Sequence, residues 1–221
     1  MASYLILGAG KFGRLALQRL WSQDPAGRFV IVDRSRQALD KIPCPPGADV
    51  DKIEADVTVF LQENLSRYAS WDWLIPMVPG HVALAGLPDV LVAGSGWELT
   101  DVPSEVENIA RMAIRGSGGE VYLSQADHLC PDDCSEPDFC PVSGESRSPA
   151  LYEKLSALSL PGFRLLVIPT RQLAPGVGGY PPRELLDLAR QVAASEENLL
   201  IATACRCHGV VHALRRRKAG G

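Results

Sequence analysis

The sequence predicts an α/β protein: a Rossmann-type parallel sheet over about residues 1–95, and a smaller α/β half over 96–221 that carries a cysteine-rich metal loop. Three observations lead there. Short apolar runs alternate with amphipathic stretches in the first third, the pattern of βαβ units on a parallel sheet. A glycine-rich turn separates the first run from the first amphipathic stretch. Three of the six cysteines fall between residues 126 and 149, where no periodicity is visible.

The elements follow in order. Tyr4-Leu5-Ile6-Leu7 reads as a buried strand closed by Gly8. Phe12, Leu15, Ala16 and Leu20, with Arg14, Gln18 and Arg19 between them, set a helix over 11–23. Asp24-Pro25-Ala26-Gly27 breaks it, and Phe29-Val30-Ile31-Val32 is a second strand ending at Asp33. A short helix over 35–42 stops at Pro43, Pro45 and Pro46, because proline lacks the helix N–H. A strand over 50–54, a helix over 57–68 and a strand over 73–78 continue the pattern.

Ser104-Glu105-Val106-Glu107 has the form of a capping box and predicts a helix to about Arg115. A strand at 121–123, a helix over 151–158, a strand at 165–168, a helix over 182–194 and strands at 199–202 and 210–214 complete the second half. The Pro/Gly stretch 174–179 reads as a loop and the basic tail 215–218 as a solvated end. The two halves could share one sheet.

Composition excludes some function classes. Hydrophobic residues make 46% of the chain and charged residues 22%, enough apolar surface for a core. With 22 Lys and Arg against 26 Asp and Glu the net charge is −4, so no basic footprint for nucleic acid is present. No apolar run approaches the roughly 20 residues of a membrane span. The amino end enters the glycine motif without a charged leader or cleavage site, so a cytoplasmic protein is expected.

Gly8-Ala9-Gly10-Lys11-Phe12-Gly13 fits G-x-G-x-x-G between a strand and the helix it opens. Gly8 suits the tight turn, Gly10 a close approach to pyrophosphate, and Gly13 close packing of helix on strand; the helix N-terminus attracts the phosphates. Asp33, 20 positions after Gly13, stands where a carboxylate accepts from ribose hydroxyls. Its charge would repel a 2′-phosphate and favours NAD(H), although Arg34 or Arg36 could hold that phosphate, which leaves NADP(H) open.

Over residues 3 to about 60 the chain resembles the Rossmann nucleotide-binding domains of potassium-conductance regulators, the RCK or KTN (TrkA-N type) family. The likeness rests on the aromatic residue before the last glycine, Phe12, and on Asp33 after the second strand. An acidic residue after the third strand is matched by Asp56, which the resemblance places near the adenosine. It departs at Trp71-Asp72-Trp73 and Pro79-Gly80-His81. What it implies is nucleotide binding and, as an alternative function, a non-catalytic nucleotide-sensing module of potassium transport.

Six cysteines in a reducing compartment point to metal ligands or reactive thiols before disulfides. Cys130, Cys134 and Cys140 run C-x3-C-x5-C, and Cys205 and Cys207 lie far along the chain. In an extended strand Cys205 and Cys207 would share a face and His208 would point away, so Cys207 or Cys205 is the expected fourth ligand. Free surface thiols are the competing reading, and Cys44, among prolines, is expected to be a partly buried thiol. Zinc and an iron–sulfur cluster both take thiolates; the Cys-Pro steps at 130 and 140 tip the reading slightly to a cluster. His81, after the fourth strand, is the candidate catalytic acid or base, with an ordinary loop histidine as the plainer reading. His128, two residues before Cys130, could be a ligand or support one, with a surface histidine as the plainer reading.

The function expected is an NAD(H)-binding oxidoreductase or electron-transfer protein with an iron–sulfur or zinc centre. Its partners would be a small-molecule substrate or redox partner, and a homo-oligomer is compatible with it.

Overall fold

In the computed structural model, which describes residues 1–44, 46–87 and 96–217, the first apolar run becomes β1 (Ser3–Leu7). Pro45 of the expected helix stop and Lys218 of the tail lie outside the described residues, and the expected boundary at 95/96 falls at their edge. β1 is buried from Tyr4 to Leu7, as a strand covered on both faces must be. It sits inside a four-stranded parallel sheet of order β3-β2-β1-β4, with β2 (Arg28–Asp33), β3 (Asp49–Glu54) and β4 (Trp73–Pro76). Register places Leu5 between Val30 and Leu74.

Helix α1 (Lys11–Gln23) buries Gly13, Ala16, Leu17 and Leu20, steps of three and four that keep one stripe on the core with Ile6, Phe29 and Ile31. Burying a leucine there contributes roughly 1.5–3 kcal/mol. Phe12, expected on that stripe, is instead 48% exposed, because one residue turns the helix by about 100° from Gly13. α2 (Arg36–Asp40) and α3 (Val57–Tyr68) follow β2 and β3. β3 forms the sheet edge, and its Asp49, Asp51 and Lys52 discourage pairing with another chain. β4 stops at Pro76, short of the expected Val78, because proline gives the ladder no N–H.

The stretch 174–179 is not the expected loop. β9 (Arg171–Ala174) and β10 (Val177–Gly179) pair antiparallel about Pro175-Gly176. Tyr180 then exchanges backbone hydrogen bonds of 2.8 and 3.0 Å with Leu74, which covers the β4 edge. One compact unit therefore comprises residues 1–86 and 171–186, so the hairpin belongs with the amino-terminal strands and not with the second half.

The other unit, 87–170 and 187–221, has a sheet of its own, and among the described residues none of its strands pairs with the four-stranded sheet. Its order is β6-β7-β12-β11-β8, with β5 also on β12. β12 (His208–Arg216) is nine residues long; 208–211 pair with β7 (Val121–Ser124), and 213–216 pair with β5 (Trp97–Thr100). β11 (Asn198–Ala204) is antiparallel to β12 and parallel to β8 (Phe163–Pro169).

The expected helix to Arg115 does not form. Ser104–Ile109 makes a 3-10 helix whose N-cap is Pro103, without a side-chain cap, and Met112–Arg115 is strand β6. Ala113 faces Leu123 across the β6–β7 hairpin, closed by the Gly116 N–H on the Glu120 carbonyl at 2.8 Å. Cross-strand pairing next to a glycine-rich turn outweighs a few tenths of a kcal/mol of helix preference. α5 (Leu151–Ala157) packs Leu151 and Leu155 with Leu200, Ala202 and Val211. α6 (Arg183–Ala193), before β11, buries Leu185, Leu188 and Val192. Among the described residues no helix is long and apolar enough to cross a membrane. The chain is thus a mixed α/β protein.

Candidate nucleotide crevice and cysteine centre

Parallel strands bring their carboxyl ends to one edge of the four-stranded sheet. There Gly8 has φ 112°, and a Cβ on it would stand 2.8 Å from the Met77 carbonyl oxygen. A Cβ on Gly13 would meet the Gly8 oxygen at 1.9 Å, so α1 packs against the turn only with glycine at 13. At Gly10 a Cβ would meet nothing within 4 Å. Gly10 is the N-cap of α1 and no side chain caps it, so the positive end of this helix opens onto free space. Lys11 and Phe12 are exposed there, with Lys11 Nζ 5.2 Å from the Phe12 ring centre.

Asp33 ends β2 and accepts two backbone hydrogen bonds, Oδ2 from Ala9 N–H at 2.7 Å and Oδ1 from Ser35 N–H at 2.8 Å. Each oxygen retains a second lone pair. Asp56 caps α3, accepting from the N–H groups of Thr58 at 2.9 Å and Val59 at 3.3 Å. His81 precedes α4 (Val82–Ala85) and is 7% exposed. A cavity of about 420 Å³ is lined by Asp33, Arg34, Asp56 and His81, with Thr58 and Val82 among its walls. Residues singled out at separate places in the sequence therefore meet in one crevice of ligand-pocket size. The glycine turn joins it through the Ala9–Asp33 bond.

In the other unit, residues 126–149 carry no helix or strand among the described elements, only a bridge between Phe139 and Ser146. Cys205-Arg206-Cys207, expected to be extended, instead turns β11 into β12, closed by the Cys205 N–H on the His208 carbonyl at 2.8 Å. The turn aims His208 toward the loop: its Nε2 lies 3.7 Å from Cys130 Sγ. His128 Nε2 lies 3.6 Å from Cys140 Sγ, and its Nδ1 is 3.3 Å from Asp127 Oδ1. Arg206 ties turn to loop through Asp138 at 2.9 Å and the Glu136 carbonyl at 3.5 Å.

Two sulfurs sit in backbone cradles. Cys205 Sγ accepts from the N–H groups of Cys207 at 3.5 Å and His208 at 3.3 Å. Cys140 Sγ accepts from the Ser143 N–H and hydroxyl and from the Val142 N–H; these bonds, with His128, lower its pKa to about 6. Burial pushes Cys207 up to about 11 and raises Cys205 and Cys130, so these thiols keep their protons until a cation displaces them. Burial also holds His208 below the ordinary histidine range, which leaves its imidazole neutral.

Arg147 lies among these thiols at 8% exposure, donating from Nη2 to Cys134 Sγ at 3.3 Å and from Nη1 to the Pro137 carbonyl at 3.0 Å. Burial opposes its charge, yet the thiols of Cys134, Cys207 and Cys140 hold its pKa above the usual value. A cation buried among sulfurs favours their ionised form. A cavity of about 160 Å³ is shared by His128, Cys130, Cys140, Arg147 and Cys207. Among the described residues no three His, Cys, Asp or Glu side chains stand together as a ready metal-ligand set. Cys44 is exposed, not partly buried, and lies in the other unit.

The expected ligand set omitted His128 and His208 and said nothing of Arg147. The histidines had one signal, their places two residues before Cys130 and directly after Cys207. Arg147 had none.

Residues 71–217 match the family AF_1314_C, described as "Uncharacterized protein, C-terminal domain". An uncharacterized protein of Archaeoglobus fulgidus is 32% identical over 221 residues, covering 96% of this chain and 99% of its own. No solved structure matches the chain.

Proposed function

The chain belongs to the AF_1314_C family, and for this member we propose an NAD(H)-binding oxidoreductase or electron-transfer protein with a cysteine-ligated centre, iron–sulfur or zinc. The observation that carries the reading is the 420 Å³ crevice in which Asp33, Arg34, Asp56 and His81 converge beside a glycine-rich, Rossmann-type turn.

The nucleotide, when bound, supplies hydride exchange. The open space at Gly10 admits a diphosphate against the α1 amides, and Asp33 accepts from the ribose hydroxyls. Its negative charge favours NAD(H) over NADP(H), while exposed Arg34 is the group that would meet a 2′-phosphate. Asp56 lines the adenosine side, and buried His81 holds or delivers a proton. Cys130, Cys134 and Cys140, with Cys207 or Cys205, supply thiolates to the metal centre, and Arg147 offsets their charge.

A second reading is a nucleotide-sensing module similar to the RCK/KTN domains, with a structural metal. It is favoured by the imidazoles beside Cys130 and Cys140, since mixed nitrogen and sulfur ligands suit redox-inert zinc. The test is a spectrum of anaerobically purified protein before and after NADH, with iron, sulfide and zinc analysis on the same sample. NADH binding with bleaching of a brown chromophore, or with reduction of an added acceptor, supports the redox reading. Binding without turnover supports the sensor.

A further inference from the structure

We infer that the 160 Å³ cavity beside Arg147 is a binding site for one small tetrahedral oxyanion, phosphate or sulfate, held by Arg147 and Lys154. The inference goes beyond the proposed activity: it needs neither a metal on the cysteines nor a nucleotide in the crevice, and every residue it uses lies in the unit 87–170 and 187–221.

Positive charge exceeds negative in the wall of this cavity. Arg111, Arg147 and Lys154 line it together with one carboxylate, Glu145. Glu145 is taken up by Arg111, whose Nη2 lies 2.5 Å from its Oε1, and Asp127 lies 3.8 Å from Arg111 Nη1. Lys154 Nζ donates to the neutral Gln125 Oε1 at 3.0 Å, and Arg147 donates to Cys134 Sγ and the Pro137 carbonyl, so neither meets a carboxylate among the described residues. A Cys140 thiolate in the same wall answers one of these two charges and leaves the other, in a chain whose net charge is −4.

The cations converge. Arg147 is 8% exposed, and its buried Nε has no hydrogen-bond partner among the described residues. A buried guanidinium N–H without an acceptor calls for one that the chain does not supply. The sulfurs of Cys140 and Cys207, both in the wall, stand near enough to Arg147 to favour its charge, and the Cys140 sulfur also favours that of Arg111. Gln125, which holds Lys154, donates its backbone N–H to the Cys207 carbonyl at 2.8 Å, so lysine and arginine are brought to one wall through Cys207.

Size and lining select the anion. The volume is roughly five waters at about 30 Å³ each, room for one small ion and too little for a nucleotide. Among the described residues of the wall only Ala126 and Pro149 lack a polar side-chain atom, so an acid with a carbon chain finds no apolar bed. Ser146 Oγ accepts from the Ser148 N–H at 3.2 Å, which leaves its O–H to donate to an oxyanion oxygen beside the charge-assisted bonds of the two cations.

The test is calorimetric titration of the reduced full chain, in chloride buffer of fixed ionic strength, with phosphate, sulfate and acetate. One phosphate or sulfate per chain should bind saturably, and acetate more weakly. Lys154→Gln should raise the oxyanion Kd by about tenfold or more, while Lys154→Arg and Arg190→Gln, the latter on exposed α6 surface, should keep it within about threefold. Gln125→Glu, which sets a carboxylate against Lys154 without removing it, should weaken binding likewise and stands in should thermal melts show Lys154→Gln unfolded. Oxyanion binding that saturating NADH displaces and Lys154→Gln leaves intact belongs to the nucleotide crevice; it would overturn the inference and support the proposed function. Oxyanion binding that depends on Lys154 in a chain that binds no NADH would do the reverse. No saturable binding of phosphate or sulfate, acetate as tight as either, or equal affinity in the parent, Lys154→Gln and Gln125→Glu would each overturn the inference.

Discussion

Asp33 closes the glycine-rich turn: its Oδ2 accepts from the Ala9 N–H at 2.7 Å, so the carboxylate that ends β2 is fixed by the loop that opens α1. In the proposed nucleotide site this bond would hold the ribose-binding carboxylate and the phosphate-binding turn together before any ligand arrives. Asp33→Ala should therefore weaken NADH binding by roughly 1.5–3 kcal/mol, the value of charge-assisted hydrogen bonds. In a fluorescence titration this is a 10- to 150-fold rise in Kd, on the order given by the usual affinity arithmetic. Unchanged affinity would remove Asp33 from the ribose site.

Gly10 and Gly13 should separate binding from folding. A Cβ at Gly10 meets nothing within 4 Å, so Gly10→Ala should keep the parent Tm while losing nucleotide affinity. A Cβ at Gly13 would stand 1.9 Å from the Gly8 oxygen, so Gly13→Ala should cost roughly 1–3 kcal/mol of stability or more. Thermal melts with NADH titrations on both variants check the contrast. Equal Tm losses would contradict the open space at Gly10.

Legibility followed the range of the forces involved. β1, α1, β2 and α3 are readable because local apolar spacing sets the element and most of its buried face, as at Ala16 and Leu20, although Leu17 takes the place on the α1 core stripe that the spacing gave to Phe12. β6 and the β9–β10 hairpin were not, because their residues acquire strand geometry only from partners such as Leu123 for Ala113. The same limit divided the sites. Asp33 and His81 could be named from positions after predicted strands and Asp56 from the family resemblance, whereas the approach of His208 to Cys130, 78 residues apart in sequence, depends on the turn at 205–208.

Cys140 should be the nucleophilic thiol of the metal-free chain. Its pKa is lowered to about 6 by the Ser143 amide and hydroxyl and the Val142 amide. In reduced, metal-stripped protein its alkylation, followed by peptide mass spectrometry, should be half-maximal near pH 6. Ser143→Ala should move that midpoint upward. A midpoint in the ordinary thiol range would mean that the cradle does not hold the Cys140 thiolate in solution.

His212 should shape the acid limb of stability. Burial lowers its pKa below 6.5, and Glu120, 3.8 Å away, opposes this only in part. The unfolded chain then binds the proton more readily than the folded one, so stability is full above about pH 6.5 and falls as pH drops through that value. Urea midpoints between pH 7 and 5 should decline less steeply in His212→Gln. An identical slope would place the acid sensitivity elsewhere.

The most direct test of the crevice is calorimetric titration of the reduced full chain, as purified anaerobically, with NADH and, separately, NADPH. Saturable binding of one NADH per chain, with NADPH weaker, is the predicted result. Absence of saturable binding by either dinucleotide would contradict the account at its centre.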